Sequence, residues 1–364
     1  MTTVRFYLLD GDTNASSRHR VLQYFPYLRQ HGVQPVACRP VPQPVYQRLV
    51  EHRDRAPRGA KPGFYGLFLM CRLLEVLRAR PDDVVVIQRD LFPFGPPVLE
   101  RLLARRCARL VYDTDDATYL RPAFTPDTPF QRLRRFDKVA EVVSRARWVS
   151  VATEPIAAWA RHHNRNVSVV PMAVDLNEYD RVKAGSRSSR EHTVLGWAGT
   201  RGGLRYLEAL APVLRELADR CSILVRVISG GFRDVFLPGV PVDARPWRAE
   251  TALSEMKDFD IGLVPLDDTL FEQAKFPFKL LQYLALGVPA VSARVGVARE
   301  VIEHGRSGLL AGSPREWCGA LEGLIADVDL RKRLAAAGRE TVAACYTIDR
   351  VAPLLLDGLS LATR

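Results

Sequence analysis

KFPFKLLQYLALGVPAVSARVGVAREVIEHGRSGLLA runs from Lys275 to Ala311 and holds loop, helix, turn and buried-strand signals in one segment. Phe276 and Pro277 read as a loop that stops at a helix beginning near Phe278. A helix start presents unpaired N–H groups and the positive end of the helix dipole, which suits phosphate. Lys275 and Lys279 flank that start with the charge to neutralise a diphosphate. Gln282 lies three residues beyond Lys279 on the same helix face and offers an amide to a hydroxyl. Gly287 and Pro289 end the helix and lead into PAVSA (Pro289–Ala293), an apolar strand. Gly296 opens a second turn, and Glu300 sits just beyond it.

The same alternation extends upstream. VLGWAG (Val194–Gly199), ILVRVIS (Ile223–Ser229) and IGLVPL (Ile261–Leu266) read as strands, with helical patterns through Tyr206–Leu217, Ala249–Lys257 and Phe278–Ala285. Three helical segments close the chain, near Pro314–Ala326, Leu330–Cys345 and Ile348–Leu361. KAGSRSSREH (Lys183–His192) has no hydrophobic period and reads as a linker. Before it, VRFYLLD (Val4–Asp10), VVVIQ (Val84–Gln88), RLVYD (Arg109–Asp113), WVSVA (Trp148–Ala152) and VSVVP (Val167–Pro171) are strands separated by helical patterns. Short apolar runs between amphipathic helices argue for parallel sheets covered on both faces. The expectation is α/β, with two Rossmann-like doubly wound domains facing an interdomain cleft. Residues 1–175 form the first, 176–192 link, 193–345 form the second, and 346–364 are a helix packing back toward the first. Such domains bind ligands at the carboxyl ends of their strands.

Composition narrows the class. At 364 residues the chain suits two domains, and 47% hydrophobic with 26% charged residues is globular, not disordered. The greasiest stretch, Phe64–Leu77, is interrupted by Arg72 and Glu75, so no membrane span is expected. The N-terminus lacks the order of a signal peptide, and the expected location is the cytoplasm. No two of the six cysteines form a Cys-x-x-Cys pair, which argues against a disulfide framework or a zinc site.

Three further segments carry candidate chemistry. GWAGTRGGLRYLEAL (Gly196–Leu210) places Gly199, Thr200 and Arg201 between a strand and a helix. Its glycines let backbone approach a phosphate, and Arg201 or Arg205 offers a clamp. Such loops by themselves are most often plain turns. VYDTDDATYL (Val111–Leu120) puts Asp115 and Asp116 after a strand, as hydroxyl binders, a base, or simple turn formers. NASSRHRV (Asn14–Val21) puts Ser17, Arg18 and Arg20 at the first strand-to-helix turn, either facing the cleft or serving as a cap with solvated arginines.

The Lys275–Ala311 segment resembles the donor-binding signature of the retaining nucleotide-sugar glycosyltransferases of family 4, the group 1 glycosyl transferases, whose fold is called GT-B. That signature has an acidic or amide residue, an apolar pair, Ala-x-Gly-x-Pro-x-Val, a Gly-rich loop with a Glu, and His-Gly-x-x-Gly. The matching residues are Gln282, Tyr283–Leu284, Ala285–Val291, Gly296, Glu300 and His304–Gly308. Weaker likeness covers VLGWAGTRGGLRYLEAL, VVPMAVDLNEY and the SSRHRV opening. The chain departs from the family where many members carry two glutamates: Ala274 and Gln282 fill those places. A branch with a Lys-x-x-Gln-Tyr pattern looks similar.

The resemblance implies transfer of a sugar from a nucleoside diphosphate sugar to a glycan, lipid-linked or small-molecule acceptor. It implies Arg201, Lys279, Asp115 and Asp116 as catalytic groups. Gly199, Thr200, Lys275, Phe276, Pro277, Gln282, Gly296 and Glu300 would hold the donor, and Ser17, Arg18 and Arg20 would lie near phosphate or acceptor. No cofactor or metal is expected. Asp113-x-Asp115 matches a metal motif of another class of sugar transferases, but GT-B enzymes use dipoles and basic residues instead. A nucleotide-sugar epimerase and a non-catalytic nucleotide-sugar binder on the same fold are the alternatives.

The net charge is +11, and residues 1–175 hold 27 Lys and Arg against 17 Asp and Glu. That half should meet an anionic partner, either an acceptor or an anionic membrane contacted peripherally, unless its arginines are merely solvated. Arg48, Arg53, Arg55, Arg58 and Lys61 precede the apolar run Phe64–Leu77. No nucleic-acid module is present, and nucleic acid is not an expected partner.

Overall fold

The computed structural model describes residues 2–51, 60–125, 127–183, 191–230 and 235–363. Arg53, Arg55 and Arg58 of the basic run lie outside the described residues, as do 184–190 of the expected linker and the Lys61 side chain. The chain divides into two units: Met1–Met172 with Ile348–Arg364, and Ala173–Thr347.

The first unit holds six parallel strands: β1 (Thr2–Tyr7), β2 (Val33–Cys38), β3 (Val84–Gln88), β4 (Arg109–Thr114), β5 (Trp148–Val151) and β6 (Val167–Val169), in the order β2-β1-β3-β4-β5-β6. All five residues of β3 are buried, as an apolar run covered by helices on both faces requires. The second unit holds β7 (Thr193–Gly199), β8 (Ile223–Ser229), β9 (Val242–Pro246), β10 (Ile261–Val264), β11 (Ala290–Ala293) and β12 (Leu309–Ala311), ordered β12-β11-β10-β7-β8-β9.

Sequence reading passed over β2, β9 and β12, and each is an edge strand. VQPVAC contains a proline, VDARP is charged and half-buried throughout, and LLA is three residues long. An edge strand pairs on one side only, so it needs no continuous apolar run and tolerates proline. The helix expected over Tyr206–Leu217 is two helices, Leu204–Ala209 and Ala211–Ala218, because Pro212 starts the second. The expected linker contains a helix of the second unit, Leu176–Asp180, whose start is capped by Asp175 accepting from the Asn177 N–H at 3.0 Å. Helix Ile348–Thr363 belongs to the first unit: a Cβ on Gly358 would stand 2.0 Å from the Trp148 ring of β5.

Helix Ala60–Arg78 turns a charge inward. Arg72 is fully buried and donates to the carbonyls of Leu91 at 3.1 Å, Cys38 at 3.0 Å and Leu8. Its guanidinium lies 5.5 Å from the centroids of the Tyr7 and Phe68 rings. Burial lowers its pKa to about 10, still far above neutrality. Arg72 thereby ties the helix to the chain at the end of β2 and just past the ends of β1 and β3.

Candidate active site

In each sheet the strand order reverses beside one strand, and the crevice at the carboxyl ends of the strands there is where open α/β sheets bind ligands. In the second unit the reversal falls between β7 and β10. β7 ends at Gly199, and beneath it lies helix Phe278–Ala285. Gly196 and Gly262 make room for that packing: a Cβ on either would stand 1.9 Å from Phe259 or 2.4 Å from Tyr283. The buried Tyr283 hydroxyl accepts the Ala198 N–H at 2.9 Å, fixing the helix against the strand end. Lys279, one turn earlier on the same face, extends to the chain at Gly199.

The Lys279 amine lies 4.3 Å from the Trp197 ring centroid. It has no hydrogen bond or ion pair among the described residues. The residue keeps part of its surface in solvent, yet burial of the amine, with the like charge of Lys275, lowers its pKa to about 7. A Cβ at Gly199 would come within 2.7 Å of the Trp197 ring and 3.0 Å of the Lys279 amine, so the strand end must be glycine. Lys275 is half-buried, with its amine 6.0 Å from the Phe271 ring centroid. Phe276 and Pro277 are buried; Phe276 packs edge-on against Tyr346 with centroids 5.8 Å apart, and Pro277 precedes the helix. These residues form hydrophobic support and present no polar side chain.

The rest of this half divides by exposure. Thr200 and Arg201 are exposed, in the turn where the Gly203 N–H bonds the Thr200 carbonyl at 2.9 Å. Gln282 donates to the Tyr179 hydroxyl at 3.4 Å, a contact no local pattern announces because Tyr179 lies in the expected linker. Gly296 has φ 49°, and a Cβ there would be 2.2 Å from the Gln273 carbonyl oxygen, which explains the glycine. Glu300 is exposed on helix Ala298–Val301. Ala274 is buried and supplies no carboxylate. Nearby Glu272 does not stand in for it, because its buried carboxylate is taken by Arg205 at 2.8 Å and by the Tyr206 and Thr269 hydroxyls. Arg205 is thereby tied down, and Arg201 is the more exposed arginine of the loop.

In the first unit the reversal falls between β1 and β3, and the expectation for NASSRHRV needs correction. Arg20 does not face outward. Its side chain is 1% exposed and lies 2.9 Å from Asp113, with further bonds to the Ser150 hydroxyl at 2.9 Å and the Val170 carbonyl. Ser17 is also buried and donates to the Asp10 carbonyl at 3.3 Å. Arg18 is half-buried. A π-type turn over Ser17–Val21, in place of a regular helix start, swings these side chains inward. Asp113 is consumed by Arg20, although burial raises its pKa against that pairing.

Asp115 and Asp116 do gather at this strand end, around an arginine that sequence reading missed. Arg89 donates to Asp115 at 2.8 Å, to Asp116 at 2.6 Å and to the Ser16 hydroxyl at 2.6 Å, while Ser16 donates to Asp115 at 2.6 Å. Burial alone would raise the Asp115 pKa, but Arg89 and Ser16 hold it below the ordinary value. Asp116 has one oxygen on Arg89 and the other without a partner among the described residues. Arg89 has φ 64°, the only positive φ outside glycine among the described residues, held by its N–H bond to the Asp113 carbonyl at 2.8 Å. Nothing in the local sequence singles out that conformation.

Residues 201–327 match the family model described as "Glycosyl transferases group 1". The chain carries a group 1 glycosyl transferase domain. That domain contains Arg201, Lys275, Lys279, Gln282, Gly296 and Glu300. The chain is also similar to a GDP-mannose-dependent alpha-(1-6)-phosphatidylinositol monomannoside mannosyltransferase of Mycobacterium tuberculosis, 30% identical over 165 residues. The match spans 43% of this chain and 37% of that protein's length. Among solved structures, Anabaena HepE in complex with UDP and glucose aligns with TM-score 0.70 at 15% identity, over 99% of this chain and 100% of that one. A sucrose-phosphate synthase from Thermosynechococcus elongatus aligns with TM-score 0.69 at 14% identity, over 98% of both. The glycosyl transferase domain therefore sits in a chain with the GT-B fold.

Proposed function

We propose that the chain transfers a sugar from a nucleoside diphosphate sugar to a hydroxyl of an acceptor, with retention at the anomeric carbon, as a family 4 enzyme. The observation that carries this reading is the Lys279 amine, unpaired among the described residues and set beside Gly199 at the switch point of the second sheet. A diphosphate supplies the missing counter-charge, and its charge grows as it leaves, so Lys279 is worth more in the transition state than in the ground state. Arg201 and Lys275 add to that field, and Gln282 and Glu300 take hydroxyls of the donor. The acceptor attacks on the face from which the diphosphate departs, so no protein nucleophile is required. The first unit takes the acceptor, with the open oxygen of Asp116 receiving its hydroxyl proton. No metal is required, because lysines and backbone N–H groups do the work of a cation. The basic first half suits an anionic or lipid-linked acceptor reached from the cytoplasm.

The mannosyltransferase relative makes GDP-mannose the first donor to test, and HepE makes UDP-glucose the second. The test is binding of nucleotide sugars, then mass detection of product with lipid and glycan acceptors, with and without a chelator. A sugar mass gained by the acceptor, with the nucleoside diphosphate released, supports transfer. Isomerised donor without release indicates an epimerase, and binding without turnover a non-catalytic binder. Loss of transfer on chelation, rescued by Mg²⁺, refutes metal independence.

A further inference from the structure

Helix Ala60–Arg78 buries a charge and leaves an apolar face exposed. Its inward face carries Phe68, Arg72 and Val76, all buried, whereas Leu69, Met70, Leu73, Leu74 and Leu77 are 43%, 55%, 39%, 46% and 47% exposed. At the helical pitch these five fall within one arc of about 140°. Gly63 and Gly66 lie in the same arc, and a Cβ on either would meet nothing within 4 Å. The other exposed large apolar side chains among the described residues do not gather on one helix in this way, so the arc is a patch and not ordinary surface background.

The helix cannot roll to hide this face. Rotation would pull Arg72 from the carbonyls of Leu8, Cys38 and Leu91 and leave buried polar groups unpaired. Cations surround its C-terminal end. Arg78 and Arg80 are exposed, and Arg106 donates to the Leu77 carbonyl at 2.8 Å. Arg105 is exposed on the adjoining helix Val98–Arg106. The acids nearby are Glu75, paired with Arg78 at 3.4 Å, Asp83, paired with Arg5 at 2.6 Å, and the exposed Asp82.

We infer that this face docks on an anionic bilayer: Leu69, Met70, Leu73, Leu74 and Leu77 enter the boundary between headgroups and acyl chains, and the arginines meet lipid phosphates. Amphipathic helices lie in a membrane interface with this division of apolar arc and cationic rim. A second copy of the chain is the competing occupant, and the excess of arginine over acid at the helix end favours an anionic surface over it. The docking does not depend on the transfer reaction and is read without turnover.

The test is co-sedimentation of the full chain with equimolar phosphatidylcholine–phosphatidylglycerol vesicles, alongside pure phosphatidylcholine. The wild-type chain should partition to the anionic vesicles and lose affinity as salt rises. Leu73→Gln with Leu77→Gln should lower that partitioning about tenfold or more with an unchanged melting temperature. Met70→Trp, a second and milder variant, should show a blue shift of emission on vesicle addition beyond any shown by wild type. The inference is overturned if the wild-type chain ignores anionic vesicles at low salt, if the glutamine pair binds as well as wild type, or if the Met70→Trp variant shows no added shift. It is also overturned if sedimentation velocity finds a dimer that the glutamine pair dissociates, since a second copy then covers the face.

Discussion

Lys279 carries an amine that the fold leaves without a counter-ion among the described residues. Its replacement by alanine should lower kcat by about 2–4 kcal/mol of transition-state stabilisation, roughly 30- to 1000-fold, with the melting temperature of the ligand-free chain maintained. Turnover within twofold of wild type would remove Lys279 from the mechanism. The same residue sets a pH dependence. Its folded pKa of about 7 lies below the ordinary 10.5, so between those values the unfolded chain holds a proton that the folded chain has released. Stability of the ligand-free chain should therefore rise with pH across that window. Urea denaturation at successive pH values should show the rise in wild type and its loss in Lys279→Met. Asp115 and Asp116 separate by their partners. Asp115 is bonded by both Ser16 and Arg89, so Asp115→Asn should chiefly cost stability. Asp116 has an open oxygen, so Asp116→Asn should lower kcat by about 10²- to 10⁴-fold, the usual contribution of a general base. Equal kcat losses in the two variants would contradict this division.

At the scale of elements, what matters is which unit each helix completes. Helix Ile348–Thr363 follows the second unit in sequence but buries Val351, Ala352, Leu355 and Leu359 within the first, with Gly358 against Trp148. Removing residues 348–364 should cost the first unit several kcal/mol, at about 1.5–3 kcal/mol for each large apolar side chain buried. Thermal melts followed by tryptophan fluorescence should show that loss, while nucleoside diphosphate binding, assigned to the second unit, persists. A truncated chain that melts like wild type would show the helix to be dispensable. The elements missed in the sequence have a common cause. β2, β9 and β12 lie at sheet edges, where one-sided pairing relaxes the apolar pattern on which strand recognition depends. The turn after β1 misled for a different reason: Ser17 looks like a cap, but the π-type turn sends Ser17 and Arg20 into the core.

For the whole molecule, the amino-acid order alone determined the two doubly wound sheets, the central strands and the helix–strand segment around Lys279. It did so because fully buried parallel strands and Gly-punctuated helix starts leave local, periodic signatures. The grouping of Lys279 with Gly199 was legible to that extent, since both belong to motifs that a doubly wound sheet brings to its switch point. Only the tertiary structure decided which charges are spent and which are open. Arg20 and Asp113 are 93 residues apart and neutralise each other in the interior. Arg205 is held by Glu272, 67 residues away, and Asp116 by Arg89, 27 residues away. Arg72 faces inward while its leucine neighbours face water, against the usual ranking of the two, because the carbonyls of Leu8, Cys38 and Leu91, from three separate segments, converge on it. Such pairings depend on distances between segments, and hydrophobic periodicity records only which face of a segment is apolar, not which polar group it will meet.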